Sequence, residues 1–176
     1  MKIGIDVSQL VYANTGVANY LGRLVKQLIE IDKQNQYILF YSTLRGQSLM
    51  INEQWPSNVR IRHFKFPPRL LDLIWNKMHI MPIEWLIGEV DVFITSDWTE
   101  PPSLKAKKIS ILYDLIVYTN PAQTDKDIVA TQKRKLKWAI KEDSRFICIS
   151  ESTKKDAEKY LGLPQSRLSV VYPGAY

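Results

Sequence analysis

The stretch Arg145-Phe-Ile-Cys-Ile-Ser-Glu-Ser-Thr-Lys-Lys-Asp156 decides the fold class. Phe146 to Ile149 is an unbroken apolar run, too short for a helix, and it suits a strand covered on both faces. Ser150 follows at once as a helix cap, and the helix reads on to about Leu161 with Gly162 as its stop. Leu168 to Val171 is then a further strand, and Tyr172-Pro-Gly174 reads as a turn. Strand, capped helix and strand in close succession are the repeating unit of a parallel sheet.

Working outward, the same alternation fills the chain. Lys2 to Val7, Tyr37 to Tyr41, Val59 to Phe64, Asp91 to Thr95 (around Val92-Phe-Ile94) and Lys108 to Leu112 read as strands. Between them, Val17, Tyr20, Leu21, Leu24, Leu28 and Ile31 fall on one helical stripe. Leu70 to Gly88 reads as a helix that Pro82 kinks or divides. Asp125 to Lys141 reads as a helix with Ile128, Leu136, Ala139 and Ile140 inward. The expected fold is α/β: a Rossmann-like, doubly wound, mainly parallel sheet over residues 1–176, one domain.

Composition narrows the function classes. Net charge is +6 and the sequence pI about 9.3, which suits phosphate-bearing ligands or anionic surfaces without choosing between them. The lone Cys148 cannot form an internal disulfide and sits in an apolar run, which points to a buried thiol and a reducing, cytoplasmic setting. The first residues lack the pattern of a signal peptide. Polar residues interrupt Leu70 to Ile87, so no span is expected there. His63 and His79 lie on different elements without ligand spacing, so neither a metal nor a cofactor is expected. No nucleic-acid motif accompanies the positive charge, and no nucleic-acid partner is expected.

In a doubly wound sheet, ligands meet the loops after the strands. Asn14-Thr15-Gly16 opens the first helix, where free N–H groups favour an anion; a plain turn and cap is the alternative. Neither G-x-G-x-x-G nor a Walker A motif is present, which counts against a dehydrogenase. Asp114 follows a strand and suits orienting a hydroxyl or acting as a base; a turn-forming aspartate is equally open. Asp97 follows another strand, beside Trp98, whose ring suits either stacking on a ligand or closing the core; the core is the reading preferred. Ser150, Glu151 and Ser152 border the same edge, with capping as the alternative. Lys133, Arg134, Lys135, Lys137 and Lys141 read as a solvated helix face. Leu70 to Trp85 suits a buried covering helix, or a segment lying on an anionic membrane.

Taken together, Ile3-Gly-Ile-Asp6, Thr15-Gly-Val-Ala-Asn-Tyr20, Val90-Asp-Val-Phe93, Ile111-Leu-Tyr-Asp-Leu-Ile116, Ile149 to Asp156, Leu161-Gly-Leu-Pro164 and Val170-Val-Tyr-Pro-Gly174 resemble the N-terminal domain of GT4-family GT-B glycosyltransferases. The resemblance covers nearly the whole chain. It implies two Rossmann-like lobes facing across a cleft, with the acceptor on the N-terminal lobe and most nucleotide-sugar contacts on a C-terminal lobe. That second lobe is expected to begin where this chain stops, at Tyr176, so this lobe alone is expected to be inactive. The implied reaction is retaining, metal-independent transfer of a hexose from a nucleotide diphosphate sugar to a saccharide or lipid-linked acceptor. The implied setting is polysaccharide biosynthesis, at or near the inner membrane face. By position, Thr15 and Gly16 would approach the donor diphosphate, and Tyr113 and Asp114 would flank the transferred sugar. Asn14, Asp97, Trp98, Ser150, Glu151 and Ser152 would border the acceptor cleft. Tyr113 stands where the family commonly has histidine, and tyrosine is a poor base near neutral pH. A non-catalytic Rossmann-like binding or regulatory domain is the competing reading.

Overall fold

Lys2–Asp6 (β1) carries four consecutive buried residues, as a strand covered on both faces must. The computed structural model describes residues 1–12, 14–44 and 54–174 and places this strand in the interior of a seven-stranded sheet. The others are Gln36–Ser42 (β2), Val59–Phe64 (β3), Val92–Thr95 (β4), Lys107–Leu112 (β5), Arg145–Cys148 (β6) and Leu168–Val170 (β7). Their spatial order is β3-β2-β1-β4-β5-β6-β7, and every pair is parallel. Strand order reverses between β1 and β4, where the two halves leave a crevice at the carboxyl edge.

Gly16–Ile31 (α1) covers one face of β1 and β2. Thr15 caps it, its hydroxyl accepting from the Ala18 amide at 3.1 Å. Ala18, Leu21, Val25 and Ile29 are its most buried positions, with Leu24 and Leu28 on the margin. Ile31, expected on the inward stripe, is 79% exposed. The stripe is turned by one residue because Ala18, omitted from the expectation, brings the first turn down onto the sheet.

The opposite face is covered by the segment expected to be one helix broken at Pro82. It is instead Pro68–Leu71 (α2), a π-helical turn over Asp72–Lys77, and Glu84–Ile87 (α3). The break comes before the proline, where His79 and Met81 both take positive φ, at 52° and 64°. Side chains hold this strained path. The buried Trp75 indole donates to the Met81 carbonyl at 3.0 Å, and the His79 ring stacks on Trp138 at 3.8 Å.

Ile116–Thr119 (α4), Lys126–Lys141 (α5) and Glu151–Leu161 (α6) complete the layers around β5 to β7. Asp125 and Ser150 cap the last two, and Gly162 ends α6 at φ 65°, the left-handed conformation that glycine adopts without cost. Residues 171–174 are irregular chain rather than the expected turn. They lie along α1, where the Tyr20 hydroxyl donates to the Val171 carbonyl at 2.9 Å. Tyr176 lies outside the described residues.

Candidate functional site

Two adjoining hollows open among the loops at the carboxyl edge. The first, of about 360 Å³, is lined by Gly16, Asn19, Tyr20, Arg23, Tyr113 and Asp114, with the run from Val171 to Gly174 as its outer wall. The second, of about 230 Å³, is lined by Asp97, Trp98, Tyr113, Asp114, Gln132 and Lys135 over an apolar base. Tyr113 and Asp114 belong to both. The three residues on which the sequence reading rested most, Gly16, Tyr113 and Asp114, therefore meet at one opening.

A larger hollow, of about 810 Å³, lies among Lys2, Gln36, Asp91 and Lys107 at the strands' amino ends. There Asp91 accepts from the Lys2 amide at 2.7 Å, and the groups lining it tie the sheet edge together. It is the wrong end of a parallel sheet for a ligand.

At the start of α1, Thr15 satisfies the Ala18 amide with its hydroxyl and the Asn19 amide with its carbonyl. The Gly16 and Val17 amides bond no described residue, and no acidic side chain occupies the first turn. A Cβ at Gly16 meets none of the described residues within 4 Å, so packing among them does not demand glycine there. The open helix start and Arg23 suit an anion.

Tyr113 is half-buried between the hollows. Its hydroxyl lies 3.0 Å from the Ser96 hydroxyl, and its ring stands edge-on to Tyr20 at 5.7 Å. Burial pushes the phenol well above its usual range, with Asp97 adding to the rise. It therefore stays protonated and serves as a hydrogen-bonding group. Asp114 is exposed and accepts from the Ile116 amide at 3.0 Å, which is the turn-forming role; it still faces both hollows.

Two sequence readings change here. Trp98, preferred as a core residue, is 36% exposed and lines the second hollow. Lys135, assigned to a solvated face, is 1% exposed, and its ammonium donates to the Ser96 carbonyl. The signal was present: Ile128, Gln132, Lys135, Leu136 and Ala139 fall on one helical stripe, and Lys135 is inside it. Lys133, Lys137 and Lys141 do face solvent, and Arg134 pairs with Asp72 at 3.4 Å.

Around Lys135 gather Asp6, Asp97 and Glu100. Burial lowers the affinity of its ammonium for a proton, and those carboxylates restore part of it. Burial likewise raises the Asp97 carboxyl, while Lys135 and a hydrogen bond from Gln132 pull it back down. Asn14, Thr15, Ser150, Glu151 and Ser152 line neither hollow. Asn14 makes the turn at φ 69°, Thr15 and Ser150 cap helices, and Glu151 and Ser152 are exposed on the first turn of α6. Gln132, Asn19 and Arg23, absent from the sequence reading, belong to the lining. Among the described residues no group of three His, Cys, Asp or Glu is placed to hold a metal ion.

The all-parallel sheet and its carboxyl-edge opening agree with the family model for Glycosyltransferase Family 4, which matches residues 14–175. The chain belongs to glycosyltransferase family 4. No curated protein matches it closely enough to add a relative. As a family 4 domain it carries a transferase fold, and its sheet has the form of the N-terminal lobe of a GT-B enzyme. Membership of this family suggests a sugar donor and an acceptor as ligands.

Proposed function

We propose that this chain is the acceptor-side lobe of a retaining, metal-independent GT-B enzyme that moves a hexose from a nucleotide diphosphate sugar to a saccharide or lipid-linked acceptor. The observation that carries the reading is the meeting of an open helix start at Gly16 with Tyr113 and Asp114 at one mouth. The Gly16 amide and the dipole of α1 would stabilise charge on the leaving diphosphate, which is where a transferase gains most. Tyr113, held protonated, would donate a hydrogen bond to the transferred sugar rather than take a proton. Asp114 would orient a hydroxyl beside it.

A second lobe supplies the remaining donor contacts in this reading. Transfer from UDP- and GDP-hexoses to hydroxyl acceptors is expected from this chain joined to such a lobe, and not from residues 1–176 alone. Equal activity in both forms sinks the division of labour. No transfer from the joined form favours a non-catalytic binding domain.

Peripheral contact with a membrane's cytoplasmic face is part of the same proposal. Leu73, Met78, Ile80 and Trp85 are 43%, 55%, 48% and 69% exposed, with Arg69 and Lys77 beside them. No described helix is long and apolar enough to cross a membrane. Apolar side chains with basic neighbours suit the interface of an anionic bilayer. Flotation with anionic vesicles at low salt is expected to carry the chain upward, and Trp85→Ser with Ile80→Ser to leave it behind. A chain that stays at the bottom removes the membrane contact.

A further inference from the structure

The second hollow has a chemistry of its own. Its polar wall is Asp97 with Gln132, whose side-chain amide donates to the Asp97 carbonyl at 3.0 Å and to Asp97 Oδ1 at 3.1 Å. Both bonds orient the aspartate, and no described residue bonds its Oδ2. The Gln132 amide oxygen is a second open acceptor. Beneath them, the Lys135 ammonium fixes the turn that carries Asp97 through the Ser96 carbonyl. Trp98 adds an exposed aromatic face, and Ile116, Val117 and Ile128 an apolar base.

Charge decides between ligand classes. Asp97 and Asp114 line the hollow, with Asp6 and Glu100 buried close to Lys135. Lys108 is taken up by Glu100 at 2.6 Å and by Glu142. Carboxylates therefore outnumber the available ammonium, and a phosphate entering here meets net repulsion. A neutral ring with several hydroxyls meets paired acceptors, a stacking face and an apolar base. The volume of about 230 Å³ suits one ring rather than a chain of rings.

We infer that this hollow is a subsite for an uncharged sugar ring, with ring hydroxyls donating one to Asp97 and one to Gln132, and with Lys135 as the positioning residue beneath them. It rests on the glycosyltransferase reading and narrows it: the acceptor presents a neutral sugar at this point, and any phosphate it carries lies outside the hollow. Tyr113 lines both hollows, so the two ligands would approach each other across this residue.

The test is nuclear magnetic resonance on the chain itself, reading the Trp98 indole and the Gln132 side-chain amide. Neutral methyl hexosides are expected to shift both signals, while inorganic phosphate and hexose 6-phosphates leave them in place. Asp97→Ala is expected to weaken the hexoside response at least about tenfold, the loss of a hydrogen bond to a charged group, with the buried Trp75 indole unmoved. Gln132→Leu provides a second reading that keeps the buried charges intact. For Lys135→Met, the Asp97 carboxyl is expected to titrate at higher pH than in the parent, a change that a purely packing role would not produce. Phosphate shifting these signals, or no hexoside doing so, overturns the subsite. Transfer by the two-lobe protein with a silent Trp98 overturns the subsite alone. A hexoside response without transfer upholds the subsite and removes the transferase reading.

Discussion

Replacing Lys108 by alanine is expected to take about 3–5 kcal/mol from the stability of the fold. Lys108 is 2% exposed on β5, and its ammonium holds Glu100, which is fully buried, at 2.6 Å. The same group donates to the Pro101 carbonyl at 2.7 Å and to Glu142. Its removal leaves the buried Glu100 charge with only the Thr95 hydroxyl at 2.8 Å and the neighbouring Lys135 to offset it, which costs more than the pair contributes when intact. A domain of this size is stable by only about 5–15 kcal/mol, so the variant should sit close to its threshold. Lys108→Met with Glu100→Gln removes both charges at once and should recover most of the loss. Glu142 still has His79 as a partner at 2.8 Å in that double variant. Urea unfolding of the three proteins measures this directly. A loss below about 1 kcal/mol in the alanine variant would mean that solvent screens the pair.

Gly16→Ala should do the reverse, sparing stability and damaging function. A methyl group at Gly16 meets none of the described residues within 4 Å, so the change in unfolding free energy should stay within about 0.5 kcal/mol. In the two-lobe enzyme proposed above, that methyl would stand where the diphosphate is proposed to touch the helix start. A displacement of this order lowers turnover by about 10²-fold. Gly4 provides the contrast, since its Cβ would lie 2.7 Å from Phe93 and 2.9 Å from Ile87. Gly4→Ala is accordingly a packing lesion of about 1–3 kcal/mol. Undiminished transfer by Gly16→Ala would remove the donor role assigned to this position.

The strands were legible because most are short apolar-rich runs, with β3 an alternation of apolar and basic residues, and β1 to β7 begin and end within about one residue of where they were read. The Thr15 and Ser150 caps and the Gly162 stop were legible for the same local reason. The covering segment from 68 to 87 was not. Its path depends on Asn76, which accepts from the Glu100 amide at 3.0 Å and donates to the Trp98 carbonyl at 2.9 Å. Those partners are distant in sequence, and no local period announces them. Lys135 was misread because residue type was weighed above position on the stripe. Gly16, Tyr113 and Asp114 were placed by topology, whereas Gln132 and Arg23 reach the hollows from helix positions outside any motif. The neighbours Ser150 to Ser152 illustrate the opposite error, since closeness to a strand end does not aim a side chain at the opening.

The run from Val171 to Gly174 is fastened to α1 at two points, the Tyr20 hydroxyl at 2.9 Å and the Arg23 guanidinium at 3.5 Å. It behaves as a tendon anchored on the helix whose first residues form one lip of the mouth. A pull along it arrives at Tyr20 and then, ring against ring, at Tyr113. Tyr20 is thus a side chain through which these four residues and the doorway between the two chambers are joined.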